Sequence, residues 1–215
     1  MSNTQEWSNW TYEKRCRKAV EALQKNEFTA VYCANREEAI SYILNEAKSA
    51  SSVGLGGSLT LQELGIVPLL QEMSKEIIQN SKTLTEEERR QVGRRMFCSD
   101  LFLSSSNALT LNGFLVNIDG TGNRVASLIF GPAKVIVVLG RNKIVENTEL
   151  ALKRIKEFAV PANSRKNGTK NPCAGTGFCI DCQTPSRSCR ITVILERKPR
   201  LQDFHVLVVN ETLGL

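Results

Sequence analysis

Val135-Ile-Val-Val-Leu-Gly140 is an unbroken apolar run, rich in β-branched residues, with no polar residue alternating through it. A strand with one wet face alternates apolar and polar residues, so this run reads as a strand buried on both faces. That burial belongs to α/β folds, in which helices cover both sides of a parallel sheet. The flanking sequence carries the alternation that such a fold needs. Residues 4–27 place Trp7, Trp10, Ala19 and Leu23 at helical spacing, and residues 28–34 form a short β-like run. Residues 36–49 are helical again, with Ala39, Ile40, Ile43, Leu44 and Ala47 on one face. Ser52-Val-Gly-Leu-Gly-Gly-Ser58 is a strand entering a glycine turn, and Thr60-Leu-Gln-Glu63 matches a capping box that opens a helix. Pro68 starts a further helical stretch toward Ile78, and Thr85-Glu-Glu-Glu88 caps a helix ending near Arg95.

The centre of the chain is β-rich. Residues 101–105 read as a strand, and residues 108–118 as a hairpin turning at Asn112-Gly113. Asp119-Gly-Thr-Gly122 is a second tight turn, residues 149–158 a helix, and residues 191–195 and 205–210 closing strands. The expectation is an α/β fold with a mainly parallel sheet and an inserted β-hairpin. Residues 1–35 are expected as an N-terminal helical segment packed on a domain formed by residues 36–215. That domain includes a cysteine loop at 161–190, longer than a simple helix-to-strand connection needs.

That loop holds the densest chemical signal. Cys173, Cys179, Cys182 and Cys189 fall in the spacing C-x5-C-x2-C-x6-C, four of the seven cysteines in 215 residues. Thiolates are soft ligands suited to zinc or to an iron–sulfur cluster, and Gly175, Gly177 and Pro185 supply the bends of a wrapping loop. Two other readings stay open: a redox dithiol at Cys179 and Cys182, or unligated thiols packed as small hydrophobes.

The N-terminus has no basic, then apolar, leader pattern, and Val135–Leu139 is far too short to span a bilayer. The expectation is a cytoplasmic chain with reduced thiols and no membrane insertion. Net charge is +6, but residues 1–140 balance at 15 basic and 15 acidic residues, whereas residues 141–200 carry 13 basic and 5 acidic. The surplus surrounds the cysteine loop, where it would offset thiolates or attract an anionic ligand. Scattered basic residues and an aromatic content of 6% argue against nucleic acid as partner.

Gly54-Leu-Gly-Gly57-Ser58 sits between a strand and a helix, where exposed amides and close backbone approach suit either an anion site or a plain turn. It is neither a dinucleotide fingerprint nor a phosphate loop, so no nucleotide cofactor follows. Asn117-Ile-Asp-Gly-Thr-Gly-Asn-Arg124 gathers polar groups around two glycines, with Arg124 a candidate carboxylate clamp. Lys143 follows the buried strand, and ligands in open α/β sheets sit beyond the carboxyl ends of strands. The candidate binding residues are therefore Gly56, Gly57, Ser58, Asn107, Asp119, Asn123, Arg124 and Lys143, around a small anionic metabolite. His205, the single histidine, lies in a strand-like run and reads as a packed residue, which argues against Ser-His-Asp hydrolysis.

Gly56-Gly-Ser-Leu-Thr-Leu-Gln-Glu-Leu-Gly65, Ser106-Asn-Ala-Leu-Thr110, Asn117–Arg124, Gly140-Arg-Asn-Lys-Ile-Val145, Arg154 and Pro161-Ala-Asn-Ser-Arg165, in that order, resemble the lactate-utilisation (LUD) domain family. The four-cysteine loop looks like that of a small single-domain subgroup. The resemblance implies a three-layer Rossmann-like fold of the sugar-isomerase and CoA-transferase superfamily. It also implies a role in oxidising lactate or a related small hydroxy or keto acid, with a redox partner protein as one possible partner. The cysteine spacing differs from the C-x2-C-x2-C-x3-C runs of the iron–sulfur subunits in such systems. The chain also lacks a clear nucleophilic glutamate motif of the CoA-transferase kind. Two alternatives follow: a non-enzymatic accessory or electron-transfer module, or an isomerase or transferase using Glu63 or Asp119 as base.

Overall fold

The computed structural model describes residues 3–81 and 83–215, so Met1 and Ser2 of the N-terminal reading lie outside the described residues. The chain runs α1 (Asn3–Lys25), β1 (Thr29–Cys33), α2 (Arg36–Glu46), β2 (Ser52–Leu55), α3 (Leu59–Glu63), α4 (Ile66–Glu72), β3 (Glu76–Gln79) and α5 (Glu86–Phe97). It continues through β4 (Leu101–Ser104), β5 (Ala108–Thr110), β6 (Leu115–Asp119), α6 (Asn123–Ile129), β7 (Lys134–Gly140) and β8 (Ile144–Val145). The last elements are α7 (Thr148–Arg154), α8 (Val160–Asn167), α9 (Pro172–Thr176), β9 (Ile191–Leu195) and β10 (Asp203–Val209).

Six strands form one parallel sheet in the order β1-β10-β7-β4-β2-β3. The apolar run in β7 has the burial expected of it. Val135, Val137 and Leu139 enter a core shared with α1, α5 and α6, while Ile136 and Val138 enter the opposite core beneath α2, α3 and α4. β10 repeats the pattern, with Phe204, Val206 and Val208 on one face and Leu207 and Val209 on the other. The fold is thus a three-layer, Rossmann-like α/β sandwich around a parallel sheet. Among the described residues no helix is long and apolar enough to cross a membrane.

The hairpin β5–β6 does not extend the main sheet. It forms a second sheet in the order β8-β5-β6-β9, with β8 parallel to β5 and β9 antiparallel to β6. One face of this small sheet joins the core beside α1 through Leu109, Leu115, Ile144 and Leu195. The other packs on α7 through Ala108, Val116, Ile118, Ala151 and Ile155.

Several boundaries differ from the sequence reading. β1 is hydrogen-bonded to β10 along its whole length, so residues 3–35 supply a strand of the main sheet and, in α1, part of its cover. The stretch running toward Ile78 is not one helix. Ser74 adopts a left-handed φ of 58°, and Ile77-Ile78 then continue as edge strand β3. The capping box at Thr85 and Glu88 forms as read, whereas Thr60 lies within α3 and is not its N-cap. The cap of α3 is Ser58, whose hydroxyl accepts from the Leu61 amide at 3.3 Å. The turn at 119–122 leads straight into α6, a helix of seven residues and too short to show clear periodicity. The helix expected to stop at Phe158 passes through a π-helical turn (Ile155–Ala159) into α8 and ends at Gly168. That wide turn directly precedes Pro161, whose ring crowds the carbonyl four residues back. The expected loop 161–190 is therefore helical at its start and again at α9.

The closing strand β10 sits inside the sheet, between β1 and β7. His205 lies on it, buried, between the Tyr42 hydroxyl and the Asp203 carboxylate, each 2.8 Å away.

Candidate functional site

The connections from β2 and β4 leave the sheet in opposite directions, since β2 is followed by edge strand β3 and β4 leads toward β7. Such a reversal opens a crevice at the carboxyl ends of the strands. A polar cavity of about 190 Å³ lies there. Its floor comes from Gly57 and Ser58 after β2, Ser105, Ser106 and Asn107 after β4, and Lys143 after β7. Asp119, Gly120 and Arg124 close one side, and Ala159, Val160 and Asn163, at the π-helical turn and the start of α8, close another. Ser188, from the cysteine loop, and Leu215 complete the wall.

Gly56 does not line this cavity, and a Cβ there would meet Ser104 Oγ at 2.8 Å. Its glycine is needed for close packing on β4 and for its amide to reach the Leu103 carbonyl at 2.9 Å. Gly57 is different: a Cβ would meet nothing within 4 Å, so its bareness leaves open space at the cavity.

Arg124 is not a free clamp. Nη1 donates to the Ser105 carbonyl at 3.1 Å and to Asn117 Oδ1 at 2.6 Å. Nη2 donates to Asn107 Oδ1 and to the Ile118 carbonyl, both at 3.0 Å, and Nε lies 3.7 Å from Asp119. The guanidinium thus staples the ends of β4, β5 and β6 together at the pocket wall. Burial pushes its pKa down, partly offset by Asp119. The sequence-level expectation of a bidentate carboxylate grip fails because this fork already has protein acceptors. What Arg124 offers a ligand is a fixed positive field.

Lys143 is the other buried cation, 4% exposed. Its Nζ donates to Thr60 Oγ1 at 2.9 Å and Ser105 Oγ at 3.0 Å. Among the described residues no carboxylate forms an ion pair with it. Burial, then the charges of Arg154 and Arg124, lower its pKa to about 7, and Glu63 pulls weakly the other way. Arg154 is fixed behind the site by bonds to the Asn142 carbonyl at 3.1 Å and the Asn107 carbonyl at 2.7 Å. Among the described residues Asp119 is the one Asp or Glu side chain lining the cavity, against the side-chain cations Arg124 and Lys143. Gly140 lets the C-terminal segment pass close by, and Gly214 then packs against Thr60 and Lys143.

All four loop cysteines line a second cavity of about 20 Å³, together with Lys156, Asp181 and Arg187. They are free thiols. Burial and the neighbouring sulfurs of Cys179, Cys173 and Cys182 raise the pKa of Cys189, against the pull of Arg187. Arg187 braces the loop by donating to the carbonyls of Cys182 at 2.6 Å and Cys189 at 2.7 Å. Among the described residues no three His, Cys, Asp or Glu side chains stand in a metal-holding arrangement, so the sulfurs would have to draw together to ligate. Val160 and Ser188 line both cavities, which makes the two sites neighbours.

A family model for the LUD domain matches residues 16–209, nearly the whole chain. The protein belongs to the LUD domain family. The matched span takes in both sheets, the cysteine loop and every residue lining the polar pocket except Leu215. A DUF162 family protein from Deinococcus radiodurans has a similar solved structure, with a TM-score of 0.54 over 92% of this chain and 98% of that one. At 14% identity this likeness shows the shared fold alone. No curated protein matches the chain.

Within this LUD fold, Gly57, Ser58, Asn107, Asp119, Arg124 and Lys143 come together at one pocket. Asn123 does not: it faces a cleft between α5 and α6, beside Arg90 and Arg94. Sequence reading passed over Thr60, Ser105, Asn163 and Ser188. The run Ser104-Ser105-Ser106 at a strand's carboxyl end was a usable signal for Ser105. Thr60 was hidden by its match to a capping box.

Proposed function

We infer that this LUD protein binds a small carboxylate in the pocket at the β2–β4 reversal and serves the use of lactate or a related hydroxy or keto acid. The observation that carries this reading is the placement of Lys143 and Arg124 on a cavity of about 190 Å³, with Arg154 behind it and Asp119 as the one Asp or Glu side chain lining it among the described residues. A cationic site partly shielded from bulk water favours anions, and a cavity of this size suits a molecule of a few heavy atoms. Gly57 and Ser58, with Asn163 and Ser188, offer polar contacts to orient it. Gly56 and Asn123 leave the set of ligand-contacting candidates, and Arg124 stays as a source of field.

The cysteine cavity is read as a metal site next to this pocket. Four soft ligands beside compensating cations suit zinc or iron–sulfur chemistry. The site would hold its metal through Cys173, Cys179, Cys182 and Cys189, and a bound zinc would order the loop that forms part of the pocket wall.

Calorimetric titration with L-lactate and pyruvate tests the pocket. Saturable binding that Lys143→Met weakens by about 1.5–3 kcal/mol, as for a hydrogen bond to a charged group, is the expected outcome. Binding that the substitution leaves unchanged removes the pocket from the reading.

A second reading, an accessory or electron-transfer module, draws on Phe178 and Ile180, which are 73% and 62% exposed within the cysteine loop. Apolar side chains beside a redox-capable site suit contact with a partner protein. Turnover by the isolated chain separates the two: an accessory module shows none.

A further inference from the structure

A buried lysine normally answers a carboxylate, because a lone ammonium in a dry site is costly. Among the described residues the partners of Lys143 are hydroxyls, those of Thr60 and Ser105. The charged groups facing it are Arg154 from α7, Arg124 from α6 and, more weakly, Glu63 from α3, so cations outnumber the acid. Glu63 is itself engaged by the Gly214 amide at 2.7 Å. Desolvation and neighbouring cations are the two means by which proteins keep a lysine neutral and nucleophilic. The amine also lines the same cavity that is read as a carboxylate site.

We propose that Lys143 is an imine-forming lysine, whose Nζ attacks the carbonyl carbon of a small 2-oxo carboxylate held in the pocket. This rests on the anion-pocket reading above and adds a substrate class and a covalent step to it. The neutral amine forms a C–N bond as the carbonyl π bond breaks, and a proton moves from nitrogen to oxygen to give a carbinolamine. That hydroxyl takes up a second proton and leaves as water, while the nitrogen lone pair forms the C=N bond of an iminium. The sum is amine, carbonyl compound and one proton going to iminium and one water, with no oxidant or reductant needed.

The surroundings fit each stage. Ser105 Oγ and Thr60 Oγ1 lie 3.0 and 2.9 Å from the amine and 3.4 Å from each other, a hydroxyl pair able to relay the protons. Gly214 packs over the amine and excludes water from that side. The iminium restores a positive charge, which the ligand's own carboxylate would neutralise. The cationic surroundings that discourage an ammonium in the empty pocket are then offset by the ligand. Ser105 and Thr60 are assigned as groups that position the amine and relay protons.

The test is reductive trapping on the full chain, with pyruvate and glyoxylate as probes. Protein is incubated with each acid, reduced with sodium borohydride, weighed intact and mapped by peptide mass. The expected result is one adduct per chain, on the peptide containing Lys143, and its loss in Lys143→Met. Ser105→Ala keeps the amine and should slow trapping severalfold, which guards against a misfolded Lys143→Met being mistaken for support. Adducts spread over exposed lysines, with Lys143 unmodified, overturn the proposal. Calorimetric binding of either acid without any adduct also overturns it, while leaving the anion pocket standing. Neither binding nor adduct removes the pocket reading and the proposal together.

Discussion

Val160 and Ser188 form a shared partition: each lines both the polar pocket and the cysteine cavity. A change in the loop cannot move Ser188 without altering the pocket wall. Anaerobically purified protein is therefore expected to carry close to one metal ion per chain by elemental analysis. Cys182→Ser should lose that metal and lower the melting temperature, since metal-binding energy becomes folding energy. It should also shift the affinity for a small carboxylate. Metal content far below stoichiometric in protein never exposed to oxygen would count against the site. Loss of stability with unchanged affinity would make the loop a distant staple.

Arg124 is predicted to matter more to the fold than to direct ligand contact. Arg124→Met leaves the Ser105 and Ile118 carbonyls and the side-chain oxygens of Asn107 and Asn117 without their shared donor. Buried acceptors stripped of a charged donor are costly, and the expected loss is about 2–4 kcal/mol in chemical denaturation. Lys at this position should recover little, because a point charge cannot serve four acceptors arranged for a fork. A loss below about 1 kcal/mol would show that water replaces the guanidinium.

The layered fold was legible because its central strands state their burial outright. Val135–Gly140 has no polar alternation, and the structure covers it on both sides. The hairpin was legible through Asn112-Gly113, where Gly113 takes a φ of 80°. Elements decided by tertiary packing were not. β3 is an edge strand of four residues whose pairing with β2 overrides a helical-looking stretch. α6 is too short for its period to register. The site was legible by position, at turns and strand ends, but not by role. Arg124 offered a guanidinium in a glycine-rich turn, and nothing local revealed that its partners come from three separate strand ends. Thr60 matched a capping pattern only because Glu63 follows by three. Its hydroxyl instead meets Lys143, 83 residues away in sequence.

Gly140 tests the close passage of the C-terminal segment. Its φ of −77° is open to any residue, so a substitution there acts through space and not through backbone strain. A Cβ would fall 2.5 Å from both Asn142 Oδ1 and the Leu213 amide nitrogen. These two atoms bond each other at 3.1 Å, and Asn142 Nδ2 also donates to the Gly214 carbonyl at 3.0 Å. Gly140→Ala should therefore push Leu213 and Gly214 outward at a cost of about 1–3 kcal/mol, typical of overpacking. It should also expose Lys143, measurable as faster amine labelling. Full stability with unchanged labelling would show that the segment yields freely.

Lys143 gives the fold a pH dependence whose sign is fixed. Its native pKa is lowered from 10.5 to about 7, chiefly by burial and then by Arg154 and Arg124. Between those values the unfolded chain holds a proton that the native state has released, so stability rises with pH across that window. Below about 7 both states hold the proton, and the burden of a buried ammonium is full and constant. Above about 10.5 neither holds it, and the burden is gone. Lys143→Met removes the titration but also removes the bonds to Thr60 and Ser105, which adds an offset independent of pH. The observable is therefore the slope of the difference: denaturation of both proteins from pH 6 to 10 should show the wild type gaining stability relative to the variant as pH rises through about 7. An L-lactate-saturated wild type, whose ligand has no carbonyl to condense with the amine, should show a weaker slope, because a bound carboxylate favours the charged form and lifts the native value. A difference flat across the whole range would mean that Lys143 keeps its proton in the native state through an acidic or solvent partner.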